Sequence, residues 1–455
     1  MRTRVLRVAR PASLAVAIGC MLGSCAAPDP GPNVLIIVVD TLRADHLGSY
    51  GYPLDTSPNL DRFASENLQF EYAISAAPWT SPSVASLFTA YYPTAHGVTQ
   101  HVAPHRMPDD AISPDWTTLA EAFAAAGYAT SGLTSNAWVS SQRGFGQGFD
   151  RFEELEYSPA NTVNEHAFDH LDQLTHSDAE PPVRPFLLYL HYMDPHPPLE
   201  APAELTYRFL DEHAALPGFD ERAPEQRKAI AAYDAEIFFF DQAMGALFDD
   251  LKRRELYDDM AIAVVSDHGF PFMEHGAGWH GFKLHNEDTH VPLLLKLPGA
   301  PAPSRIDTPV STIDLYPTLA GIAGVPVPDG LQGVSLLDQL EQRRTRGAFS
   351  ENTVMIHNHR SLVSGDAHKL ILAYAGRAHR ESRREDERAV VGLFRSREDY
   401  AEATSLDDPE AIDRMREQLW AVYQESLKLS GGVRPATAPL DDRTIEELRR
   451  LGYVD

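Results

Sequence analysis

Cysteine is almost absent from this chain. Its 455 residues hold two, Cys20 and Cys25, and both fall in an N-terminal leader. Two cysteines this close to the start leave no disulfide framework for the rest of the chain. Positive charge is also scarce. Lys and Arg number 39 against 65 Asp and Glu, for a net charge of −26. That balance argues against nucleic acid or an anionic membrane face as partner. An acidic protein that handles an anionic substrate has to create local positive charge, and a bound cation supplies it. Long apolar runs are missing as well. The leader run Ala12 to Leu22 falls short of the ~20 residues that span a bilayer. There are no internal repeats. Apolar content of 43% and charged content of 23% are ordinary for a globular protein, and exclude wholesale disorder. The length suggests one large or two unequal domains.

The leader has an address written in it. Arg2, Arg4, Arg7 and Arg10 form a basic start, followed by the short apolar run. It ends in Leu22-Gly23-Ser24-Cys25, which resembles a bacterial lipobox. The resemblance implies cleavage before Cys25 and acylation of its thiol. Cys20 is the alternative, with a less fitting Ala17-Ile18-Gly19 ahead of it, and an ordinary secretion signal is the plainer reading. Ala26 follows Cys25, which under the Gram-negative sorting rule points to the outer membrane. Pro28-Asp29-Pro30-Gly31-Pro32 then makes a stiff tether. The expected location is the cell envelope, lipid-anchored on the periplasmic side of the outer membrane or at the cell surface. The expected organisation is leader 1–24, tether 25–32, catalytic domain 33–342 and a smaller C-terminal unit 343–455.

Asn33 to Val39 is a near-continuous apolar run ending in Asp40. That pattern suits a central strand buried on both faces. Further strands are expected at Ala129–Leu133, Pro185–Tyr192, Ala261–Ser266 and Val291–Leu297. Helices are expected at Leu60–Leu68, from Thr80, at Leu119–Ala126, Arg227–Glu255 and Thr312–Ala323. The alternation predicts an α/β fold: a doubly wound, mostly parallel sheet with helices on both faces. After Arg343 the pattern shifts to a smaller α+β subdomain. It has an Arg/Glu-rich run at Arg380–Arg388, short strands near Val363 and at Lys369–Ala373, and helices at Asp408–Lys428 and Thr444–Leu451.

Thr80 opens the stretch that matters most, Thr80-Ser81-Pro82-Ser83-Val84. It sits where an N-cap would, with Pro82 in the first turn. Free N–H groups and the helix dipole favour an anion there. A hydroxyl at that place is a plain cap or a nucleophile. Three strand ends then supply polar groups: Asp40; His191, Asp194 and His196; Asp267 and His268. Any one of these reads as a cap or a structural histidine. Ligands gather at the carboxyl ends of such strands, and caps alone do not explain all of them meeting at one edge.

These stretches resemble the sulfatases of the alkaline phosphatase superfamily. The opening strand and loop Val38-Val39-Asp40-Thr41-Leu42-Arg43-Ala44-Asp45-His46 and the Thr80 stretch carry the resemblance. So do Asp194-Pro195-His196-Pro197-Pro198, Ser266-Asp267-His268-Gly269, Glu274-His275-Gly276 and His280-Gly281. The resemblance implies that Asp40, Asp267 and His268 hold a divalent metal, with the Thr80 oxygen as a further ligand. One ion is expected; its identity among Ca²⁺, Mg²⁺, Mn²⁺ and Zn²⁺ stays open. His196 and His280 would face the substrate as catalytic groups. Asn136, His191, Asp194 and Lys283 are further substrate-binding candidates, with His46 behind them.

The departures carry as much information. Sulfatases have Cys or Ser, oxidised to formylglycine, where this chain has Thr80, so no formylglycine is expected. The usual Arg is Val84, the paired Asp is Thr41, and the sulfate-gripping Lys and His are missing from Thr134-Ser135-Asn136-Ala137-Trp138. A formylglycine hydrate can expel sulfate by C–O cleavage, whereas a threonine ester is released only by attack at sulfur or phosphorus. The expectation is therefore a metal-dependent hydrolase of anionic esters with Thr80 as nucleophile, phosphate or phosphonate esters favoured. The alternatives are a sulfuric ester hydrolase working without formylglycine, and a non-catalytic glycan-binding surface lipoprotein. A periplasmic phosphoethanolamine-type transferase fits less well, since those carry several membrane helices ahead of the catalytic domain.

Overall fold

Runs such as Val-Leu-Ile-Ile-Val-Val leave the backbone no polar face to present to water, so they pair as strands and are covered on both sides. The computed structural model describes residues 31–99, 109–175, 184–299, 302–342, 346–352, 358–374, 388–433 and 436–438, with two residue pairs at 445–446 and 449–450. The leader with Cys25, most of the Arg380–Arg388 run and half of the expected Thr444–Leu451 helix lie outside the described residues.

From Val34 the chain runs β1 (Val34–Val39), α1 (Pro58–Glu66), β2 (Leu68–Ile74), α2 (Thr80–Thr89), α3 (Pro93–His96), β3 (Asp109–Ala111), α4 (Leu119–Ala125), β4 (Ala129–Thr134) and β5 (Arg151–Glu154). It continues with α5 (Ala160–Thr175), β6 (Phe186–Tyr192), α6 (Ala203–His213), α7 (Pro224–Arg253), β7 (Ala261–Ser266), α8 (Asn286–Thr289) and β8 (His290–Lys296). The last part is β9 (Ser304–Ile306), β10 (Val310–Ser311), α9 (Leu315–Ala323), α10 (Leu336–Gln342), β11 (Ala348–Asn352), β12 (Asn358–Val363), β13 (His368–Tyr374), β14 (Arg388–Arg395), α11 (Pro409–Leu429) and β15 (Ala436–Ala438).

The main sheet has nine strands in the order β10-β2-β8-β7-β1-β6-β4-β5, with β9 beside β2. It is mostly parallel; β8 alone runs antiparallel to its neighbours β7 and β2. β1 is central, parallel to β6 on one side and β7 on the other. Its side chains alternate between two cores, as the pleat requires. Val34, Ile36 and Val38 pack with Val84, Leu87 and Phe88 of α2. Leu35, Ile37 and Val39 pack with Ile237, Phe240, Met244 and Leu247 of α7. A second sheet, β11-β12-β13-β14, is antiparallel and joined by α11 through Leu419 and Met415. Residues Gly31–Asp455 form one compact unit. Among the described residues no helix is long and apolar enough to cross a membrane.

The expected fold class is therefore observed, with local differences. The helix expected at Leu60–Leu68 ends at Glu66, and the chain turns at once into β2. β2, α5, α6, β11 and β14 were not expected. In β2 the polar Gln69 is buried against the Ser49 carbonyl and Glu71 breaks the apolar run. The small sheet gains its outer strands because β11 and β14 pair with the two strands that were expected.

Phe88 is 1% exposed and meets Phe145, Phe149 and Tyr189 edge-on or tilted at 4.9–6.0 Å. Phe88→Ala should cost about 3–5 kcal/mol, read as a lowered urea midpoint at unchanged slope.

Candidate active site

The ends of β1, β6 and β7 lie side by side, so the residues just past them meet at one edge of the sheet. Asp40 is the first residue past β1, and its amide donates to the Tyr192 carbonyl at 2.9 Å. Asp267 is the first past β7. Thr41 next to Asp40 takes a left-handed conformation, φ 57°, which is costly for a β-branched residue. The turn aims its amide at Asp267 Oδ1, 3.2 Å away, and its carbonyl accepts from Tyr233 Oη at 2.6 Å. Asp267 Oδ1 also accepts from the His268 amide at 2.8 Å.

α2 brings the hydroxyl. The expected N-cap role of Thr80 is not observed: Trp79 is the N-cap, extended at φ −158°, ψ 161°, and its carbonyl accepts from the Ser83 amide at 3.3 Å. Thr80 is the first helical residue. Its hydroxyl has turned away from the helix end towards the acids, which outcompete the amides as partners. Oγ1 lies 3.5 Å from Asp40 Oδ2 and 3.3 Å from His268 Nε2. Ser83 Oγ donates to the Asp267 carbonyl at 2.5 Å, pinning α2 to the end of β7.

The donor set fits a divalent cation. His268 Nδ1 donates to the Gly269 carbonyl at 2.9 Å, which leaves Nε2 as the lone-pair nitrogen. Nε2 stands 3.8 Å from Asp40 Oδ1 and 3.5 Å from Asp267 Oδ2. Those two carboxylate oxygens are buried with no hydrogen-bond partner, and one atom from each of the three residues falls within a 4.8 Å cluster. Three buried lone-pair atoms facing one another call for a cation or for protons between them. Electrostatics agree. Burial, then Asp267, pushes the Asp40 carboxyl well above the usual carboxylate range. Burial pushes Asp267 up to about 7 despite the amides that favour its ionised form. Burial pushes His268 down to about 4, so its imidazole is neutral.

The other expected residues divide. Asn136 Nδ2 donates to Asp40 Oδ2 at 2.5 Å, while its Oδ1 accepts from the Trp138 amide at 2.7 Å, fixing the amide's orientation. His191 Nε2 is 3.8 Å from Asp40 Oδ2. The His280 ring is 4.6 Å from that of His268 and 5.4 Å from that of His196. Burial pushes His196 down to about 3, and its Nδ1 donates to the Pro197 carbonyl. Asp194 is buried but turned to Glu236, and burial together with that second carboxyl raises its pKa. Lys283 stands near His285, whose pKa it helps lower. His46 is held by Asp234 at 2.6 Å. Sequence reasoning missed Tyr189, Gly269 and Ser83 as orienting groups; only the Tyr189-x-His191 spacing, which puts both on one strand face, was there to be read.

A second group, His275, His285 and Glu287, also gathers donor atoms within 4.8 Å. Its two imidazoles stack at 3.6 Å and 14°. Rings in nearly parallel planes share no in-plane point at which both could hold one ion, and His275 Nδ1 is bonded to Glu287 at 2.6 Å. This group is an interaction between rings rather than a metal cage.

Known proteins of similar sequence and shape point the same way. The family profile described as Sulfatase matches residues 32–325, and that described as N-sulphoglucosamine sulphohydrolase, C-terminal, matches residues 274–420. An ulvan-active sulfatase from Formosa agariphila is 28% identical over 357 residues, 68% of this chain and 65% of its own length. A solved structure in complex with its substrate D-glucosamine-2-N,6-O-disulfate aligns at TM-score 0.68 and 18% identity, over 89% of this chain and 99% of that one. A phosphonate monoester hydrolase of Agrobacterium radiobacter aligns at TM-score 0.67 and 19% identity, over 87% and 96%.

A cation at Asp40 and Asp267 competes with protons, because both carboxyls bind protons more tightly here than in water. Divalent-ion affinity, measured by calorimetry, should therefore tighten as pH rises through about 7, the value to which Asp267 is pushed. Binding below that pH should release protons, seen as a dependence of the measured heat on buffer ionisation enthalpy. Affinity that is flat from pH ~5.5 to ~8.5 contradicts the arrangement.

Proposed function

We propose that this chain, which belongs to the sulfatase family of ester hydrolases, is a metal-dependent sulfuric ester hydrolase that uses Thr80 itself, unoxidised, as its nucleophile. The observation that carries the reading is the Thr80 hydroxyl, at the first turn of α2 and 3.3 Å from His268 Nε2, inside the Asp40–Asp267–His268 cluster. The likeness in sequence to an ulvan-active sulfatase suggests a sulfated saccharide as the substrate class.

Asp40, Asp267 and His268 would hold one divalent ion, which lowers the hydroxyl pKa and neutralises charge on the transferred group. Thr80 Oγ1 attacks sulfur, forming an Oγ1–S bond as the S–O bond to the leaving alcohol breaks. The hydroxyl proton leaves with the alcohol, passed on by His280 or His196. Water then attacks the same sulfur, losing its proton to an imidazole, and Thr80 leaves as the alcohol. His196 suits the second step: its Nδ1 donates to Pro197, so Nε2 is the proton-accepting nitrogen of a neutral ring. The N-terminal amides of α2 point at the anion throughout.

A second reading, hydrolysis of phosphate or phosphonate esters, is favoured by one observation, the threonine at position 80. It removes the formylglycine route and leaves attack at the central atom, which phosphorus esters support well. The relatives lend more weight to sulfate; the likeness to a phosphonate monoester hydrolase, at 19% identity, is one of fold.

Matched aryl sulfate, phosphate monoester, phosphate diester and phosphonate substrates decide between them on the leader-free protein. Sulfate turnover should exceed the others, and Thr80→Ala should lower kcat by at least a hundredfold. Chelation should abolish turnover. A phosphorus ester ahead by orders of magnitude establishes the second reading. No turnover with the ion bound would leave a glycan-binding lipoprotein.

The leader belongs to the same proposal. Acylated Cys25 would anchor the chain in the cell envelope, with Pro28–Pro32 as tether. A full-length Cys25→Ala variant should then fail to incorporate the labelled fatty acid that the parent takes up; equal labelling contradicts the anchor.

A further inference from the structure

Tyr189 and His191 are two residues apart on β6, so their side chains share a face of the sheet. It is the face that α2 covers: Tyr189 packs in one core with Val38 and Phe88, and Val38 lies in register with His191. Asp40, two residues past Val38, continues the same face. His191 is fully buried, yet its Nε2 has no hydrogen-bond partner among the described residues and stands 3.8 Å from Asp40 Oδ2. Its Nδ1 lies 3.0 Å from Tyr189 Oη.

The chemistry of each neighbour decides which nitrogen carries the proton. A buried phenol is a donor in search of an acceptor. Burial, and the charges of Asp267 and Asp40, keep the Tyr189 hydroxyl protonated, and the acceptor it meets is His191 Nδ1. That leaves the hydrogen on Nε2, facing a carboxylate. The opposite tautomer strands the phenol hydrogen and sets a nitrogen lone pair against a carboxylate lone pair.

We propose that Tyr189 and His191 form a buried relay that orients Asp40: Tyr189 donates to His191 Nδ1, and the Nε2–H of His191 donates to Asp40 Oδ2. The 3.8 Å gap exceeds a hydrogen bond, and a small turn about the soft imidazole χ2 closes it. Together with Asn136 Nδ2 on the same oxygen, the relay fixes the carboxylate with Oδ1 towards Asp267 and His268. His191 is thereby a positioning residue, as are the outer partners of metal-binding carboxylates generally, and not a substrate contact. The inference rests on Asp40 being a ligand of the ion.

The test reads the tautomer first. Long-range ¹H–¹⁵N spectra of full-length protein labelled with ¹⁵N-histidine, with and without Mg²⁺, are assigned through the signal lost in His191→Gln. An Nε2–H tautomer is expected; an Nδ1–H tautomer or an imidazolium overturns the relay. Mn²⁺ titration followed by its EPR signal then compares variants. His191→Phe should weaken Mn²⁺ binding by about 10- to 100-fold. His191→Gln, whose amide N–H can replace Nε2–H, should stay within a few-fold of the parent. No loss in His191→Phe, or equal loss in both, overturns the proposal. If His191→Phe does not fold, Tyr189→Phe decides by the same titration: losing the phenol that orients the ring should weaken Mn²⁺ binding, and affinity equal to the parent's overturns the relay. Asp40→Asn binding Mn²⁺ as tightly as the parent would remove Asp40 from the metal centre, a failure of the functional reading that leaves the tautomer result standing.

Discussion

Two carboxylates buried side by side, Asp40 and Asp267, are the constraint on which the rest of this structure depends. Each is at most 1% exposed, and among the described residues neither is paired with a lysine or arginine. Burying one such charge without compensation is expensive, and two in contact more so. The fold tolerates them because the backbone around them is arranged to donate. Thr41 takes its left-handed turn to present an amide to Asp267, His268 adds its own, and Asn136 holds Asp40. The remaining deficit, one bare oxygen on each acid beside the His268 nitrogen that faces the Thr80 hydroxyl, has the shape and charge of a missing cation.

The sheet supplies the proximity. Because β1 runs parallel to both β6 and β7, three carboxyl ends come to one edge, and the loops leaving them start from there together. α2 is then held to that edge by Ser83 on the Asp267 carbonyl and by Phe88 in the aromatic cluster beneath. The first helical hydroxyl has no freedom to be elsewhere. A helix start offers amides suited to an anion, and the acids would bring the cation that such an anion needs; under the proposed function the substrate would be attracted by the combination.

Much of this was legible in the chain. Apolar runs closing on Asp40, His191 and Asp267 suit central strands, because strands buried on both faces read as near-continuous apolar runs with polar groups only at their ends. The doubly wound class comes from those runs and the helices between them. The parts that were not legible have physical reasons. β2 is interrupted by polar residues that find partners only across the fold, whereas α5, though not expected, was readable, since Ala160, Val163, Ala167, Leu171 and Leu174 recur at helical spacing. The cap of α2 lies one residue before the expected Thr80 because a threonine hydroxyl prefers amides only where no better partner exists, and the better partner lies forty positions earlier. Asp194 reads like its neighbours in sequence, yet it faces Glu236.

The histidines at this edge settle what kind of electrostatics the site runs on. Burial holds His191 and His196 down to about 3 and His268 to about 4, so all three are neutral rings at physiological pH. They can accept or relay protons but add no fixed positive charge. In a chain of net charge −26, an anionic ester approaching this edge meets two carboxylates and neutral imidazoles. Attraction has to come from the ion and from the helix dipole, and the dipole is worth only ~0.3–2 kcal/mol. Under the proposed mechanism the ion would therefore govern substrate binding as well as the chemical step, which would make the groups that orient its ligands as consequential as the proposed nucleophile.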